Sequence, residues 1–109
     1  MAKVLCFDID GILTKDADTD HQDLSGVYAT RILNTEVKEL ISKAVASGWT
    51  ITLFTGRKEG SRRLTENWLY AHGVEYHYLF MDKPYFTYMI DDRSRSVEEI
   101  KDLIKNEER

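Results

Sequence analysis

The stretch that decides the fold is VLCFDIDGIL, residues 4–13, in which an apolar run ends at two aspartates and a glycine. A short apolar run bounded by a polar turn is typical of a buried strand. Gly11 favours a turn directly after Asp8 and Asp10. A solvated turn would explain Gly11 and one aspartate. Two carboxylates around one site also suit a hard cation such as Mg²⁺, which would offset their repulsion.

The composition predicts one domain over residues 1–109, large enough for a hydrophobic core without disulfides or structural metals. Fifteen basic and nineteen acidic residues give a net charge of -4, so overall charge does not attract nucleic acid or anionic membranes. The one cysteine, Cys6, excludes a disulfide, predicts a buried thiol and fits a reducing cytoplasm. The start of the chain resembles neither a signal peptide nor a membrane span.

The rest of the chain alternates between helical and strand patterns. Asn34 or Thr35 caps a predicted helix that Gly48 stops, and Ser96 with Glu99 forms a capping box for a final helix. Between them we expect a strand at 50–54, a helix at about 61–72, and strands at 74–80 and 85–90. This alternation predicts an α/β fold with a mainly parallel sheet flanked by helices.

Residues 14–30 are polar and acidic without a sustained period, which predicts a loop or small hairpin that forms a short flap after the first strand. Asp16, Asp18 and Asp20 are spaced as in part of a calcium loop. The glycine and the glutamate that such a loop needs are missing, so solvated acids explain them better.

Several polar residues follow predicted strands directly. Parallel sheets bind their ligands beyond the carboxyl ends of the strands, so we expect these residues to share one crevice. A lysine before the fourth strand could hold an anion there and reduce the repulsion between carboxylates. The residues concerned are Asp8, Asp10, Thr55, Lys83, Asp91 and Asp92.

Four short motifs occur in an order that resembles the haloacid dehalogenase-like (HAD) phosphohydrolases. They are Asp8-Ile-Asp-Gly, Thr55 within Phe-Thr-Gly-Arg, Lys83 within Lys-Pro, and Asp91-Asp92 within Ile-Asp-Asp-Arg. The chain is also similar to small, capless proteins labelled capsule-biosynthesis phosphatases and to the phosphatase half of bacteriophage polynucleotide kinases. The resemblance implies a Rossmann-like HAD fold with no cap domain, because neither gap between motifs has room for one.

The resemblance also implies catalytic roles. Asp8 would attack phosphorus and form an aspartyl-phosphate, and Asp10 would protonate the leaving oxygen and then act as a base toward water. Thr55 would donate its hydroxyl to a phosphoryl oxygen, while Lys83 and Mg²⁺ neutralise the others. Asp8 can act as a nucleophile only while it is ionised, a state that Lys83 and Mg²⁺ favour.

The same resemblance implies a metal site, and the residues after the second strand predict a substrate-binding turn. Asp8, the backbone carbonyl of Asp10 and Asp92 would hold Mg²⁺, with Asp91 binding through water or orienting the lysine. Gly56 and Arg57 would contact the substrate in the turn after the second strand.

The predicted function is Mg²⁺-dependent phosphomonoester hydrolysis, with a sugar phosphate or related small metabolite as substrate. A nucleic-acid end phosphatase is the alternative within enzymes, disfavoured by the net negative charge and by the lack of an evident aromatic stacking surface. A non-catalytic phosphate-binding module would not require Asp10, and a phosphomutase would have to exclude water from an open site.

The absence of a cap predicts an open site. We expect a partner subunit in a homo-oligomer to replace the cap, with the 14–30 flap near the interface. The motivation is a set of aromatic residues expected to be exposed, among them Tyr28, Trp68 and Tyr78. An active monomer that accepts bulky substrates is the alternative.

Overall fold

The computed structural model describes residues 3–16 and 27–107. In chain order its strands and helices are β1 (Val4–Asp8), α1 (Thr35–Ala46), β2 (Thr50–Phe54), α2 (Arg62–Ala71), β3 (Tyr78–Phe80) and α3 (Val97–Glu107). Short helical turns occupy Ile9–Leu13, Val27–Thr30 and Glu59–Ser61.

The three strands form one parallel sheet in the order β1-β2-β3. Asp8 lies opposite Phe54, and Phe54 lies opposite Phe80, so the strands end at the same level. A helix crosses between each pair of successive strands, which brings their carboxyl ends to one edge. The predicted α/β architecture with a parallel sheet is confirmed.

One face of the sheet forms the hydrophobic core. Phe7, Leu53 and Leu79, one from each strand, are buried on this face and belong to the same cluster as side chains of α1 and α2. Each large apolar side chain that is fully buried stabilises the fold by roughly 1.5–3 kcal/mol. The core therefore fixes the strands, and with them the turns that follow them.

The opposite face of the sheet is largely open in the described part of the chain. Val4, Tyr78 and Phe80 have side chains on this face and are 53%, 58% and 54% exposed. Cys6 also lies here and is exposed, so the prediction of a buried thiol is wrong. Alternation along β1 gives Cys6 the face opposite to that of Phe7, which is the residue that enters the core.

The predicted strand at 85–90 does not form, and the strand predicted at 74–80 shortens to β3. Tyr88 is 87% exposed, and the exposure of Ile90 is 101% of its reference value. Strand propensity stabilises a strand only when a neighbouring strand and a packed face are available. Within the described residues β1 is paired only with β2, so segment 85–90 has not joined the other edge of the sheet.

The helix ends match the predicted caps. The side chain of Asn34 accepts a hydrogen bond from Val37 N at 3.4 Å, and Gly48 follows α1 with a φ of 92°. Ser96 and Glu99 bond each other's backbone N–H groups at 3.0 and 3.1 Å, which confirms the capping box of α3. No helix in the described ranges has the length and apolar content that crossing a membrane requires.

The base of the predicted flap is an antiparallel pairing. Thr14 and Leu33 form an isolated bridge, and Asn34 N donates to Leu13 O at 2.8 Å. Asp18 and Asp20 lie outside the described residues. Between β2 and β3 the chain contains only the Glu59–Ser61 turn and α2, so no cap domain is inserted there.

Candidate active site

A tight turn follows β1 and positions both aspartates of the first motif. Ile9 N donates to Asp8 Oδ1 at 2.9 Å, and Thr14 N donates to Ile9 O at 2.9 Å. Gly11 has a φ of 90°, a conformation that side chains with a Cβ rarely adopt, and its N–H donates to Thr14 Oγ1 at 3.2 Å. The change from strand to turn sends the two carboxyl groups in different directions.

Asp8 is the accessible carboxylate. Its side chain is 39% exposed, and the Nζ of Lys83 lies 3.4 Å from Oδ2. Partial burial raises the pKa of Asp8, and the neighbouring Lys83 opposes that rise. Lys83 is itself anchored, because its backbone N–H donates to Thr55 O at 3.0 Å. The structure therefore brings Asp8 and Lys83 together as predicted.

Asp10 is the enclosed carboxylate. Arg57 donates from Nε to Oδ2 at 2.8 Å and from Nη2 to Oδ1 at 2.7 Å, a two-pronged contact that engages both oxygens. The side chains are 0% exposed for Arg57 and 5% exposed for Asp10. Arg57 Nη1 also donates to Thr65 Oγ1 at 3.0 Å. All described partners of the Arg57 side chain lie inside the protein, so the structure favours a positioning role for Arg57 over the predicted contact with substrate.

Two residues that the sequence analysis did not assign to the site complete this enclosed pair. The ring of Tyr28 lies 3.9 Å from the guanidinium carbon of Arg57, and Arg31 Nε lies 3.6 Å from Asp10 Oδ1. Both residues precede α1 in the chain. The Val27–Thr30 turn packs against α2, and Trp68 Nε1 on α2 donates a hydrogen bond to Arg31 O at 3.1 Å. No local pattern in the sequence marks such long-range partners.

This packing also corrects the expected interface aromatics. Tyr28 and Trp68 are 1% and 4% exposed, so neither is available to a partner subunit. Tyr78 is exposed and lies on the open sheet face.

Thr55 lies at the end of β2, one residue beyond the position opposite Asp8. It is 1% exposed, and its Oγ1 accepts from Arg57 N at 3.1 Å. That contact uses an acceptor position and leaves the hydroxyl hydrogen available for donation. Gly56 is also buried, so the turn presents little surface of its own.

Asp91 and Asp92 do not join the first-motif aspartates. Both are exposed, and Asp91 Oδ1 accepts from Arg93 N at 2.8 Å, which lowers the pKa of Asp91. Among residues 3–16 and 27–107, no three or more His, Cys, Asp or Glu side chains are grouped to hold a metal ion. The physical reason is the missing fourth strand, whose end would have placed Asp91 and Asp92 at the sheet edge.

The donor set nevertheless fits Mg²⁺ in part. Mg²⁺ in phosphate-handling sites takes one or two carboxylates and completes its six oxygen ligands with phosphate and water. Asp8 offers a partly exposed carboxylate of this kind, whereas the carboxylate of Asp10 is engaged by Arg57. Among the described residues of the first motif, this leaves the backbone carbonyl of Asp10, the donor that the family resemblance implies, as the second donor.

The local charge favours an anionic ligand even though the chain is acidic overall. Three cations, Lys83, Arg57 and Arg31, lie within 4 Å of the two carboxylates of Asp8 and Asp10. The shallow grooves between α1 and α3 and beside α2 contain none of the predicted site residues. Asp8 is itself 39% exposed, so an anionic ligand could reach it from the surface.

Comparisons with known proteins agree with this geometry. Residues 2–85 match the family model of the polynucleotide kinase PNKP phosphatase domain, a HAD family. A search of curated proteins finds no match. Among solved structures, a protein from Vibrio cholerae superposes with a TM-score of 0.64 at 25% identity, over 96% of this chain and 98% of that one.

Two further structures come from Pnkp1/Rnl/Hen1 assemblies, one of them described as an RNA repair complex. They give TM-scores of 0.63 and 0.59 at 25% identity and cover 98% of this chain. This chain spans only 34% and 32% of theirs, about a third of each.

The family match covers most of the chain and includes Asp8, Asp10, Thr55 and Lys83. The parallel α/β fold agrees with it. The chain therefore belongs to the PNKP phosphatase-domain family of HAD-like phosphatases.

Proposed function

We propose that this phosphatase removes the terminal phosphate monoester from the end of a polynucleotide, with Mg²⁺ and through an aspartyl-phosphate. The observation that carries the substrate class is the match of residues 2–85 to a polynucleotide kinase phosphatase domain. The observation that supports the chemistry is the accessible carboxylate of Asp8 with Lys83 at 3.4 Å.

In the first step an oxygen of Asp8 attacks phosphorus. The new O–P bond forms as the ester P–O bond breaks, and the leaving oxygen takes a proton. Lys83 lies close enough to Asp8 to pair with a phosphoryl oxygen in the transition state, and the Thr55 hydroxyl can donate to another. Bound Mg²⁺ would supply further neutralisation of the phosphoryl charge, held by Asp8 and the Asp10 carbonyl.

The second step is hydrolysis of the aspartyl-phosphate. Water attacks phosphorus, the phosphorus bond to Asp8 breaks, and inorganic phosphate leaves. For this role Asp10 must release one of its two hydrogen bonds from Arg57, so that one oxygen donates a proton to the leaving oxygen and then accepts one from this water. Arg57 does not touch the reacting atoms in this scheme and acts as a positioning residue that fixes the direction of the Asp10 carboxylate.

A sugar phosphate is the competing substrate class, and it was the first prediction from the sequence. The open surface around Asp8 accepts both classes. The family match favours a polynucleotide, and so do two structural neighbours from Pnkp1/Rnl/Hen1 assemblies, although what those longer proteins do belongs to them. A cytoplasmic location and a homo-oligomer that covers the site remain parts of the proposal, with an active monomer as the alternative.

A substrate comparison tests the proposal. Single-stranded DNA and RNA oligonucleotides carrying a 3′ or a 5′ phosphate are compared with a panel of sugar phosphates, each with Mg²⁺ and with a chelator. The proposal predicts a higher kcat/KM for at least one oligonucleotide end than for any sugar phosphate, and loss of release in the chelator. A higher kcat/KM for a sugar phosphate would overturn the substrate class, and full activity in the chelator would overturn the metal requirement.

A further inference from the structure

Aromatic side chains stand next to the nucleophile on the open face of the sheet. Asp8, Phe54 and Phe80 occupy paired positions on β1, β2 and β3, so they form a row across the carboxyl ends of the strands. Paired positions in a sheet direct their side chains to the same face, at a strand spacing of about 4.8 Å. Phe80 is 54% exposed, and Phe54 is half-buried.

A third aromatic ring joins this row through the predicted catalytic lysine. Lys83 Nζ lies 5.6 Å from the ring centroid of Phe54 and 5.2 Å from that of Phe86. Phe86 is 40% exposed. The cation that faces Asp8 therefore also faces two rings, and the rings begin where the phosphate would bind.

The geometry points to a stacking surface for the bases of a single-stranded polynucleotide, formed by Phe54, Phe80 and Phe86. The inference rests on the proposed function and adds to it how the substrate is held. With the terminal phosphate between Asp8 and Lys83, the attached nucleotide and its neighbour extend over the rings. Tyr78 lies on the same face two residues before Phe80 on β3, and it offers a ring to a further base.

Stacking explains how an acidic chain could bind a polyanion. Every base has a face that stacks on an aromatic ring, and each such contact contributes enough affinity to change binding by roughly tenfold. This contribution does not depend on the overall charge, which is -4. The sequence shows no evident stacking surface because these rings are far apart along the chain and meet only on one face of the folded sheet.

A small sugar phosphate would not use this surface fully. Its phosphate would engage Asp8 and Lys83, but it has no aromatic base to place on Phe80. A second copy of the chain is the other occupant that an open apolar face could take. The row of rings leading away from Asp8 and Lys83 favours a ligand that is attached to the phosphate itself.

The test compares two substrates that share the phosphoryl-transfer step. One is a single-stranded oligonucleotide with a terminal phosphate, and the other is p-nitrophenyl phosphate, whose leaving group has one ring. The variants Phe80→Leu and Phe86→Leu keep apolar volume and remove the aromatic face. Phe80→Tyr keeps a ring, and Tyr70→Leu removes an exposed ring on α2, outside the proposed surface.

We expect each Phe→Leu variant to lower the ratio of kcat/KM for the oligonucleotide to that for the aryl phosphate by about tenfold. The lower ratio should come from a higher KM for the oligonucleotide. Phe80→Tyr and Tyr70→Leu should keep the wild-type ratio within about twofold. Damage to folding lowers both activities together and leaves the ratio intact, so the ratio isolates contacts that the oligonucleotide makes beyond the phosphate and a single ring.

The length of the substrate gives a second measurement that needs no variant. For wild-type protein, KM should fall from a mononucleotide phosphate to a trinucleotide and then change little, because the rings hold a few bases. Wild-type activity on oligonucleotides with unchanged ratios in both Phe→Leu variants would overturn the stacking surface alone. Aryl phosphatase activity with no oligonucleotide activity would overturn the proposed function as well.

Light scattering on the same samples tests whether a second copy of the chain covers this face instead. If wild-type protein is a dimer and Phe80→Leu makes it a monomer, with equal loss on both substrates, the face is a protein interface. That result would overturn the inference.

Discussion

Asp8 and Asp10 are separated by one residue, yet their surroundings are opposite. Asp8 is partly exposed beside Lys83, whereas Asp10 is enclosed and engaged at both oxygens by a fully buried arginine. The difference arises at the end of β1, where the chain leaves the strand and Gly11 turns it. Two carboxyl groups that a strand would have pointed to one face are thereby separated.

In the proposed mechanism, this difference lets one short motif supply two functions. A nucleophile must reach the substrate, so exposure and a nearby cation suit Asp8. A group that exchanges protons must keep a fixed direction while its partners change, and the fork of Arg57 gives Asp10 that direction. The following predictions test this division, beginning with the largest expected effect.

Asp8→Asn should reduce phosphate release by about a thousandfold or more, because the amide cannot act as the nucleophile and has nearly the same shape. Steady-state assays with the best substrate measure the loss. Thermal unfolding should show that the variant stays folded. If the variant keeps most of the wild-type rate, Asp8 is not the nucleophile.

Arg57→Ala should destabilise the protein by about 3–5 kcal/mol, because it leaves the carboxylate of Asp10 enclosed without its main partner. Urea unfolding followed by tryptophan fluorescence measures the free energy of unfolding. The expectation depends on the burial of both groups, which are 0% and 5% exposed.

Arg63→Ala is the matched control for Arg57, since Arg63 is an exposed arginine on α2. It should change stability by no more than about 0.5 kcal/mol. Equal effects of the two substitutions would mean that the pair between Arg57 and Asp10 does not hold the site together.

Asp10→Asn should slow substrates with alkoxide leaving groups by at least about tenfold more than aryl phosphates. An aryl oxygen leaves with little protonation, whereas the hydroxyl of a sugar needs a proton in the first step. Single-turnover rates with both substrate types measure the difference. Any general damage from disturbing Arg57 lowers both rates, so equal losses would contradict the acid role of Asp10.

Tyr28→Leu should lower stability by about 1 kcal/mol relative to Tyr28→Phe, because the phenyl ring keeps the contact with the guanidinium of Arg57 and leucine does not. Urea unfolding of the two variants gives the difference directly. Identical stabilities would show that the ring contributes only volume. Activity on substrates with alkoxide leaving groups should follow the same order, since Asp10 depends on Arg57 for its position.

The sequence predicted what local patterns determine. The turn at Gly11, the caps at Asn34 and Ser96 and the parallel sheet follow from periodicity, caps and glycine. The pairing of Arg57 with Asp10 spans 47 positions and has no local signal, so Arg57 was assigned to substrate instead.

Two other errors have a common physical cause. Alternation in β1 shows that Phe7 and Cys6 lie on opposite faces, but it does not show which neighbours cover each face. The strand pattern at 85–90 likewise records propensity without showing a strand to pair with. The positions of Asp91 and Asp92 depended on that pairing, which explains why the metal site was the least predictable part.

The central claim is that Asp8 takes the terminal phosphate from a polynucleotide, and a rapid-quench experiment tests it most directly. An oligonucleotide whose terminal phosphate carries ³²P is mixed with excess enzyme, the reaction is stopped with acid, and labelled protein is digested and mapped. The account predicts transient label on the peptide that contains Asp8, formed and lost at rates compatible with turnover, and no label in Asp8→Asn. Phosphate release with no labelled protein at any time, or label on another residue, would contradict it.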